Sequence, residues 1–427
     1  MDGKTGKTHY LIELYDNDAL ENVISLEKGG YDGVALFYFR GHEPSVRRRN
    51  IIMQVVSERF GTEPVFVEVS EKGVDEAAEA IGSYIGKLAG RSFTIDLTGG
   101  DAVFIAAAGK IAALNSQKDG EAAADIELCR TDAFTGGIDI LTGPDPAGGG
   151  NNGSRQGGRI GERNGFRLTF SDVIKLNGGS VIGKWPENFD RLGIRQYEII
   201  RMWNAIKDIP ADWNRFCSIS YANNPGFDDN GFIVRRFSRS GEKVTAERVM
   251  SRLRKRGIVS RYEIGTDRVR YCLHESAKTA ELYVAAGTAL EMYTALAASG
   301  TGLFRECYTK VVLDYDGIVS GRDADPTNEI DVTMMYGAIP VFVSCKNTEP
   351  TKEYMYEINT MASHFGGKYA VPALVSSRPA MEPVRERARE MNLILIDDVQ
   401  SLTLKEFRSE IVKKIRNTIP VIARNIT

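Results

Sequence analysis

Apolar and polar residues follow two rhythms along this 427-residue chain. Over the first 140 residues, short apolar runs alternate with stretches whose apolar residues recur at helical spacing. The runs predict strands at 10–14, 34–39, 64–69 and 92–97, and the stretches predict helices at 19–26, 45–60, 74–88 and 102–114. Repeated strand and helix units with right-handed crossovers make a mostly parallel, doubly wound sheet. The N-terminal third is therefore predicted to be an α/β domain of that kind.

Nearer the C-terminus, strict strand patterning predicts a β-hairpin. Residues 328–336 predict its first strand and 337–338 its turn, and the β-branched and aromatic run at 339–343 predicts a buried return strand. The first strand carries Asp331, and the apolar run of the second ends at Lys346. This arrangement lets an acid and a lysine reach the same point in space.

An acid and a lysine so placed meet two requirements of phosphodiester cleavage. A carboxylate such as that of Asp331 can hold a hard divalent cation, which polarises the phosphate and lowers the pKa of a bound water. A fixed cation such as Lys346 can offset the negative charge that develops. The alternative is an ordinary hairpin with an Asp–Lys ion pair, because charged residues are common at strand ends.

Composition limits the classes of protein that fit. The length, with 42% hydrophobic residues, predicts two to three domains. Because 54 basic and 57 acidic residues leave a net charge of −3, any contact with nucleic acid must be local. The five cysteines lack CxxC spacing, which argues against a zinc site and for a reducing compartment. Without a signal sequence or an apolar run near 20 residues, we expect a cytoplasmic protein with no membrane contact.

The middle of the chain has a different character. Residues 143–154 are rich in Gly, Pro and Asn and predict a flexible loop or hairpin tip. A basic helix at 246–256 precedes a hairpin at 261–264 and 269–273, and this order is typical of a winged helix. The basic side chains available for phosphates are Arg252, Arg254, Lys255 and Arg256. A spacer, a dimerisation element or a substrate-gating insert are the alternatives for this region.

Polar residues follow the first and fourth predicted strands where a ligand of such a sheet binds. Glycines at a strand-to-helix turn let backbone N–H groups approach a phosphate, and the helix N-terminus adds a positive dipole end. Neither a GxGxxG motif nor a P-loop lysine is present, and a tight turn is the alternative. The expected ligand-binding residues are Tyr15, Asp16, Asn17, Asp18, Arg40, Thr98, Gly99, Gly100 and Asp101.

The hairpin resembles the PD-(D/E)xK nuclease superfamily, in which an Asp is followed by a strand bearing Glu-x-Lys. The resemblance implies that Asp331 is the central metal ligand and that Lys346 positions water and stabilises charge. It also implies that Glu291, on a predicted helix, is a further catalytic acid and metal ligand, with Glu329 as second choice. Ser344 stands where the family has Glu. Because a serine is a weaker metal ligand than a carboxylate, a second acid has to compensate.

The N-terminal pattern, with Thr98, Gly99 and Gly100 after the fourth strand, resembles a CARF domain, the Rossmann-like sensor of cyclic oligoadenylates. This resemblance covers about residues 8–140 and the nuclease resemblance about 281–400. Together they are similar to CRISPR-associated effectors of type III systems. They imply an α/β protein with a CARF domain at 1–145, a winged-helix-like or spacer region at 146–280 and a restriction-endonuclease-like domain at 281–427.

Two functions are compatible with these resemblances. The first is a homodimeric endonuclease for DNA or RNA that uses Mn²⁺ or Mg²⁺ and is activated by a cyclic oligoadenylate, by analogy cyclic tetra-adenylate. A two-fold symmetric ligand suits an isologous dimer. The second is a transcriptional regulator whose basic winged segment binds duplex DNA and whose C-terminal domain is catalytically inactive. Asp331 and Lys346 favour the first function, whereas Ser344 favours the second.

Overall fold

The structure is a computed structural model that describes residues 8–426, apart from 89–90, 118–123, 135, 143–154, 160–164, 187–193, 220–231, 275–285 and 318–326. The predicted loop at 143–154 lies outside the described residues. No helix in the described ranges is long and apolar enough to cross a membrane.

The N-terminal lobe is built on a seven-stranded sheet with the order β3-β2-β1-β4-β5-β6-β7. Its strands are β1 His9–Leu14, β2 Gly33–Phe39, β3 Pro64–Val69, β4 Ser92–Asp96, β5 Asp125–Thr131, β6 Gly137–Thr142 and β7 Arg155–Arg159. The first five are parallel, and β6 and β7 add an antiparallel edge. The helices are α1 Val46–Phe60, α2 Val74–Lys87 and α3 Ala102–Ser116. The predicted doubly wound sheet is confirmed.

The predicted helix at 19–26 is instead a pair of 3-10 helices, Leu20–Asn22 and Ile24–Lys28. The Asn22 side chain donates to the backbone carbonyls of Asp16 and Asp18 and accepts from the Asp16 N–H. Such side-chain bonds compete with the backbone bonds of a regular helix. This polar turn lies at the carboxyl end of β1, so it brings acidic residues to the edge of the sheet where ligands bind.

The middle region contains α4 Phe170–Leu176, β8 Ser180–Pro186, α5 Gln196–Ile206, α6 Pro210–Cys217, β9 Ile233–Arg236, α7 Glu242–Lys255, β10 Val259–Ile264 and β11 Arg268–Leu273. The last three strands form an antiparallel sheet with the order β10-β11-β9. The predicted basic helix followed by a hairpin is thus present. Its arginines have partners within the region: Arg252 binds Asp208, and Arg254 lies over the Tyr262 ring.

The C-terminal lobe is built on a six-stranded sheet with the order β16-β15-β14-β13-β12-β8. Its further elements are α8 Thr288–Ser299, β12 Glu306–Asp314, β13 Thr327–Tyr336, β14 Ile339–Lys346, α9 Lys352–Gly366, β15 Val371–Ser376, α10 Glu382–Glu390, β16 Ile394–Ile396 and α11 Leu404–Ile426. β14, β15 and β16 are parallel, and the remaining pairs are antiparallel. The predicted hairpin corresponds to β13 and β14.

The two lobes pack directly on each other. One hydrophobic core contains Leu11 of the first sheet together with Leu290 of α8 and Val341 of β14. Arg59 of α1 also binds the buried Asp172 of α4 at 2.7 Å. A shared core of this kind removes apolar surface of both lobes from water at once, which favours one relative placement of the two sheets.

Candidate functional site

The hairpin of β13 and β14 fixes the position of Asp331. The pairing of Val332 with Val343 puts Asp331 across from Ser344. The Asp331 carboxylate accepts the Cys345 N–H at 2.6 Å and faces the Ser344 hydroxyl, which donates to it, at 3.3 Å. Two donors from the return strand therefore orient this acid. Ser344 serves here as a hydrogen-bond partner of Asp331.

A local irregularity brings a second lysine to the same point. β12 pairs with β13 on both sides of Lys310, which places Lys310 across from Asp331. Lys310 has a φ of +50°, a left-handed conformation that is uncommon for residues other than glycine. Ile330 packs in the core beneath α9, whereas Val332 packs in the core beneath α8. Residues two apart share a face in a regular strand, so the alternation of faces along β13 is interrupted at Asp331.

Sequence patterning did not identify Lys310 as part of the site. A lysine within an apolar strand can equally be an ordinary charge at the edge of a sheet, and nothing in the sequence marks its backbone conformation. The register between β12 and β13, which depends on the whole sheet, is what reveals its place.

Glu291 approaches the hairpin from α8. It is 8% exposed, and its Oε2 has no hydrogen-bond partner in the described structure. A Cβ on Gly287 would lie 2.6 Å from Glu291 Oε1, so the glycine leaves room for the carboxylate. Burial, followed by the charge of Asp331, raises the pKa of Glu291 to about 8, while Lys310 and Lys346 lower it. Glu291 therefore does not lie on a solvated helix face.

The pKa of Asp331 is also raised, chiefly by burial, although the Cys345 N–H and the charge of Lys346 counteract this effect. The Lys346 ammonium lies over the Tyr354 ring of α9, 4.9 Å from its centroid. Among the described side chains, no ion pair joins Lys346 to Asp331. The buried Glu291 and the partly buried Asp331, with two neighbouring lysines, therefore replace the simple Asp–Lys ion pair that was the alternative.

These residues fit a hard divalent cation that needs only one or two carboxylate ligands from the protein. No group of three or more His, Cys, Asp or Glu residues that could hold a metal occurs in the described ranges. Mg²⁺ commonly binds through one or two carboxylates and takes its other ligands from water and substrate phosphates. Glu291 and Asp331 supply two such carboxylates, and the partnerless Oε2 leaves an acceptor available. Burial raises the pKa of the neighbouring Cys345 thiol, which keeps it from acting as a thiolate ligand.

A second candidate site lies at the carboxyl ends of β1, β2 and β4. A cavity of about 170 Å³ is lined by Tyr15, Asp16, Asn17, Tyr38, Phe39, His42, Gly100, Asp101 and Phe104. Five of these residues were expected from sequence. The other four were missed because Tyr38, Phe39 and Phe104 read as core residues and His42 follows a strand without a motif.

The remaining expected ligand-binding residues lie beside this cavity rather than in its lining. Arg40 is exposed and binds Glu68 at 2.7 Å. The Thr98 hydroxyl donates to Asp96 at 2.7 Å and accepts the Thr131 N–H at 2.8 Å, so it faces the protein interior. Gly99 lies against Asp16 and Glu21 in the turn after β1. Asp18, in the same turn, accepts the Lys368 N–H of the other lobe.

The glycine turn, residues 98–100, differs in one respect from the expected phosphate cradle. Gly100 has a φ of +98°, and a Cβ there would lie 2.5 Å from Leu14 Cβ. Its N–H is donated to Asp16 Oδ2 at 3.0 Å. A carboxylate thus occupies the place expected for a phosphate oxygen. Asp101 caps α3 through the Val103 N–H at 2.9 Å and pairs with Lys72.

Comparison with known proteins shows which solved structures share the fold of this chain. Neither a protein-family model nor a curated protein sequence matches this chain. Among solved structures, the chain is similar to protein VC1899 from Vibrio cholerae, with a TM-score of 0.68 and 15% identity over 96% of this chain and 98% of that one. It is also similar to Can2 from Sulfobacillus thermosulfidooxidans in complex with cyclic tetra-adenylate, with a TM-score of 0.62 and 15% identity over 95% and 99% of the two chains. The chain therefore shares the mixed α/β fold of these proteins along nearly its whole length.

Proposed function

We propose that this protein is an endonuclease that uses a divalent metal ion and is activated by a cyclic oligoadenylate, in type III CRISPR defence. The observation that carries the proposal is the buried Glu291 and the partly buried Asp331 beside Lys310 and Lys346. Two acids that approach each other away from bulk water cost folding free energy, and such arrangements cluster at functional sites. A sheet with a purely structural role gains no stability from such a pair of acids.

Each residue of this centre has a role that its contacts support. Asp331 and Glu291 would hold Mg²⁺ or Mn²⁺, and the bound ion would polarise the phosphate and supply a nucleophilic water. The Cys345 N–H and the Ser344 hydroxyl orient the Asp331 carboxylate. Lys346 and Lys310 balance negative charge on the scissile phosphate. Tyr354 restricts the Lys346 ammonium through its ring face.

A cavity in the first sheet supports a cyclic oligoadenylate as the activating ligand. This cavity lies at the carboxyl ends of parallel strands, where ligands of doubly wound sheets bind. Can2, which shares the fold over 95% of this chain, is described in complex with cyclic tetra-adenylate. The cavity is small for such a ligand, which agrees with a site completed by the same surface of a second copy in a homodimer.

Cleavage of plasmid DNA and of single-stranded RNA, each with and without Mn²⁺ and cyclic tetra-adenylate, tests the proposal. Asp331→Ala should lower cleavage by about 10³-fold or more because a metal ligand is lost, while ligand affinity in calorimetry stays unchanged. Lys346→Ala should behave similarly, and Glu291→Ala should raise the metal concentration that cleavage needs. Undiminished cleavage by Asp331→Ala in Mn²⁺ would refute the assignment.

A further inference from the structure

Glu21, in the first 3-10 helix after β1, makes polar contacts that join the two lobes. Its Oε1 accepts a hydrogen bond from the Tyr369 hydroxyl at 2.6 Å and lies 2.6 Å from the Lys368 ammonium. Asp18 Oδ2 accepts the Lys368 backbone N–H at 3.2 Å. Lys368 and Tyr369 form the turn between α9 and β15. Charge-assisted hydrogen bonds of this kind are among the stronger polar contacts in proteins.

The opposite side of Glu21 lies against the glycine turn that follows β4. A Cβ on Gly99 would lie 2.8 Å from Glu21 Cβ and 3.2 Å from Glu21 Oε2. Glu21 is 4% exposed, and its Oε2 has no hydrogen-bond partner among the described residues. The next residue, Gly100, is held by Asp16. A movement of the glycine turn toward Glu21 therefore has to displace the Glu21 carboxylate.

The far side of this contact leads to the nuclease centre through α9. Its first turn carries Tyr354, which lies under the Lys346 ammonium. Its last residues continue into Gly367, where a Cβ would lie 3.0 Å from Asp18 Oδ2. One helix thus contacts a residue of the nuclease centre at one end and the turn after β1 at the other.

We propose that Glu21, Lys368 and Tyr369 transmit the state of the glycine turn to the nuclease centre, an inference that rests on the proposed function. A ligand phosphate that displaces the Asp16 carboxylate from the Gly100 N–H brings negative charge beside the buried Glu21 carboxylate, whose ion-pair partner is Lys368. Coulomb interactions are stronger in the protein interior than in water, so the added charge strengthens the attraction on Lys368. Because Lys368 lies in the turn that directly follows α9, this attraction acts on the end of the helix whose first turn carries Tyr354 under Lys346.

The charge state of Glu21 agrees with this role. Burial raises its pKa to about 7, while hydrogen bonds from Lys368 and Tyr369 lower it. The carboxylate therefore depends on its partners in the other lobe to remain ionised near neutral pH. Two lobes that share such a charge are coupled in binding, and the coupling is reciprocal.

The test compares Lys368→Met and Tyr369→Phe with wild-type protein and with Lys352→Met, a control at an exposed lysine that begins α9. Calorimetry gives the affinity for cyclic tetra-adenylate, and cleavage with and without saturating ligand gives the stimulation ratio. Both variants should bind the ligand within about threefold of wild type but lose at least about fivefold in stimulation, a typical size for allosteric coupling. The control should match wild type. Tyr369→Phe keeps the ring that packs on Phe134, so it separates loss of the hydrogen bond from loss of folding.

The outcomes distinguish a failure of the proposed function from a failure of the inference about Glu21, Lys368 and Tyr369. If wild-type protein neither binds cyclic tetra-adenylate nor is stimulated by it, the proposed function falls and this inference falls with it. If wild-type stimulation persists in both variants, the inference alone is overturned. If the contact acts as a unit, the double variant Lys368→Met with Tyr369→Phe loses no more stimulation than the stronger single variant.

Discussion

At the scale of single residues, the buried acids are where this chain departs most from ordinary packing. Glu13 of β1 is fully buried, and its pKa is raised well above the usual range by burial and then by Asp96 of β4. The same two causes, burial and charge proximity, act on Glu291 and Asp331 in the other lobe. Acids of this kind favour a protonated form in the folded state, which ties stability to pH.

This link gives a prediction for Glu13. Its folded pKa lies above the unfolded value of 4.5, so the folded state binds more protons, and the stability that Glu13 contributes is fully present below pH 4.5 and is lost as pH rises. Glu13→Gln, which cannot ionise, should flatten this dependence. We expect the urea unfolding free energy of wild type to fall more than that of Glu13→Gln between pH 5 and pH 8. Parallel curves for the two proteins would show that Glu13 does not hold the proton.

Lys310 allows its charge and its backbone conformation to be separated. Glycine adopts the left-handed conformation freely, whereas a β-branched residue does not. Lys310→Gly should therefore leave the unfolding free energy within about 1 kcal/mol of wild type and still lower cleavage by about tenfold or more. Lys310→Val should lose both stability and cleavage. Full activity in a folded Lys310→Gly protein would remove Lys310 from the nuclease centre.

At the scale of elements, β2 was predictable because a strand buried on both faces needs an uninterrupted apolar run. All seven residues of β2 are buried, and its predicted bounds differ from the observed ones by one residue. The 3-10 helices after β1 were not predictable, since the Asn22 bonds that replace helical geometry depend on the turn at Asp16 and Asp18. The place of Lys310 in the candidate site was not predictable for a similar reason, because its φ is set by pairing across the sheet.

The glycine turn gives a prediction at this scale. Gly99→Val adds side-chain atoms where even a Cβ would overlap Glu21, so it should abolish ligand-stimulated cleavage while basal cleavage at high enzyme concentration persists. Gly109→Ala, in the helix that follows, is the matched control because a Cβ there meets nothing within 4 Å. That control should stabilise the helix by about 0.5 to 1 kcal/mol and leave stimulation intact. Wild-type affinity for cyclic tetra-adenylate in Gly99→Val would argue decisively against a ligand site at this turn.

At the scale of the whole molecule, the sequence separates the two candidate sites, and the fold packs the lobes that carry them on each other. The glycine turn and the hairpin of Asp331 and Lys346 lie more than 200 residues apart, yet the lobes share one hydrophobic core. Sequence patterning could assign each site to a lobe but not the contact at Lys368, because Gly366 and Gly367 read only as the end of a helix. The proposed function predicts that activation by ligand is a shift between populated arrangements of two packed lobes rather than assembly of a new site.

The last prediction follows from that view. If ligand and nucleic acid favour the same arrangement, each must tighten the binding of the other by the same factor, typically about 5- to 150-fold. Titration of cyclic tetra-adenylate into an Asp331→Ala dimer, with and without a non-cleavable substrate, measures this factor without turnover. We expect tighter ligand binding in the presence of substrate and a dimer by light scattering at micromolar concentration. Equal affinities in the two titrations would mean that the lobes, although packed on a common core, bind their ligands independently, and a monomer would leave the small cavity at β1, β2 and β4 without the second copy that completes it.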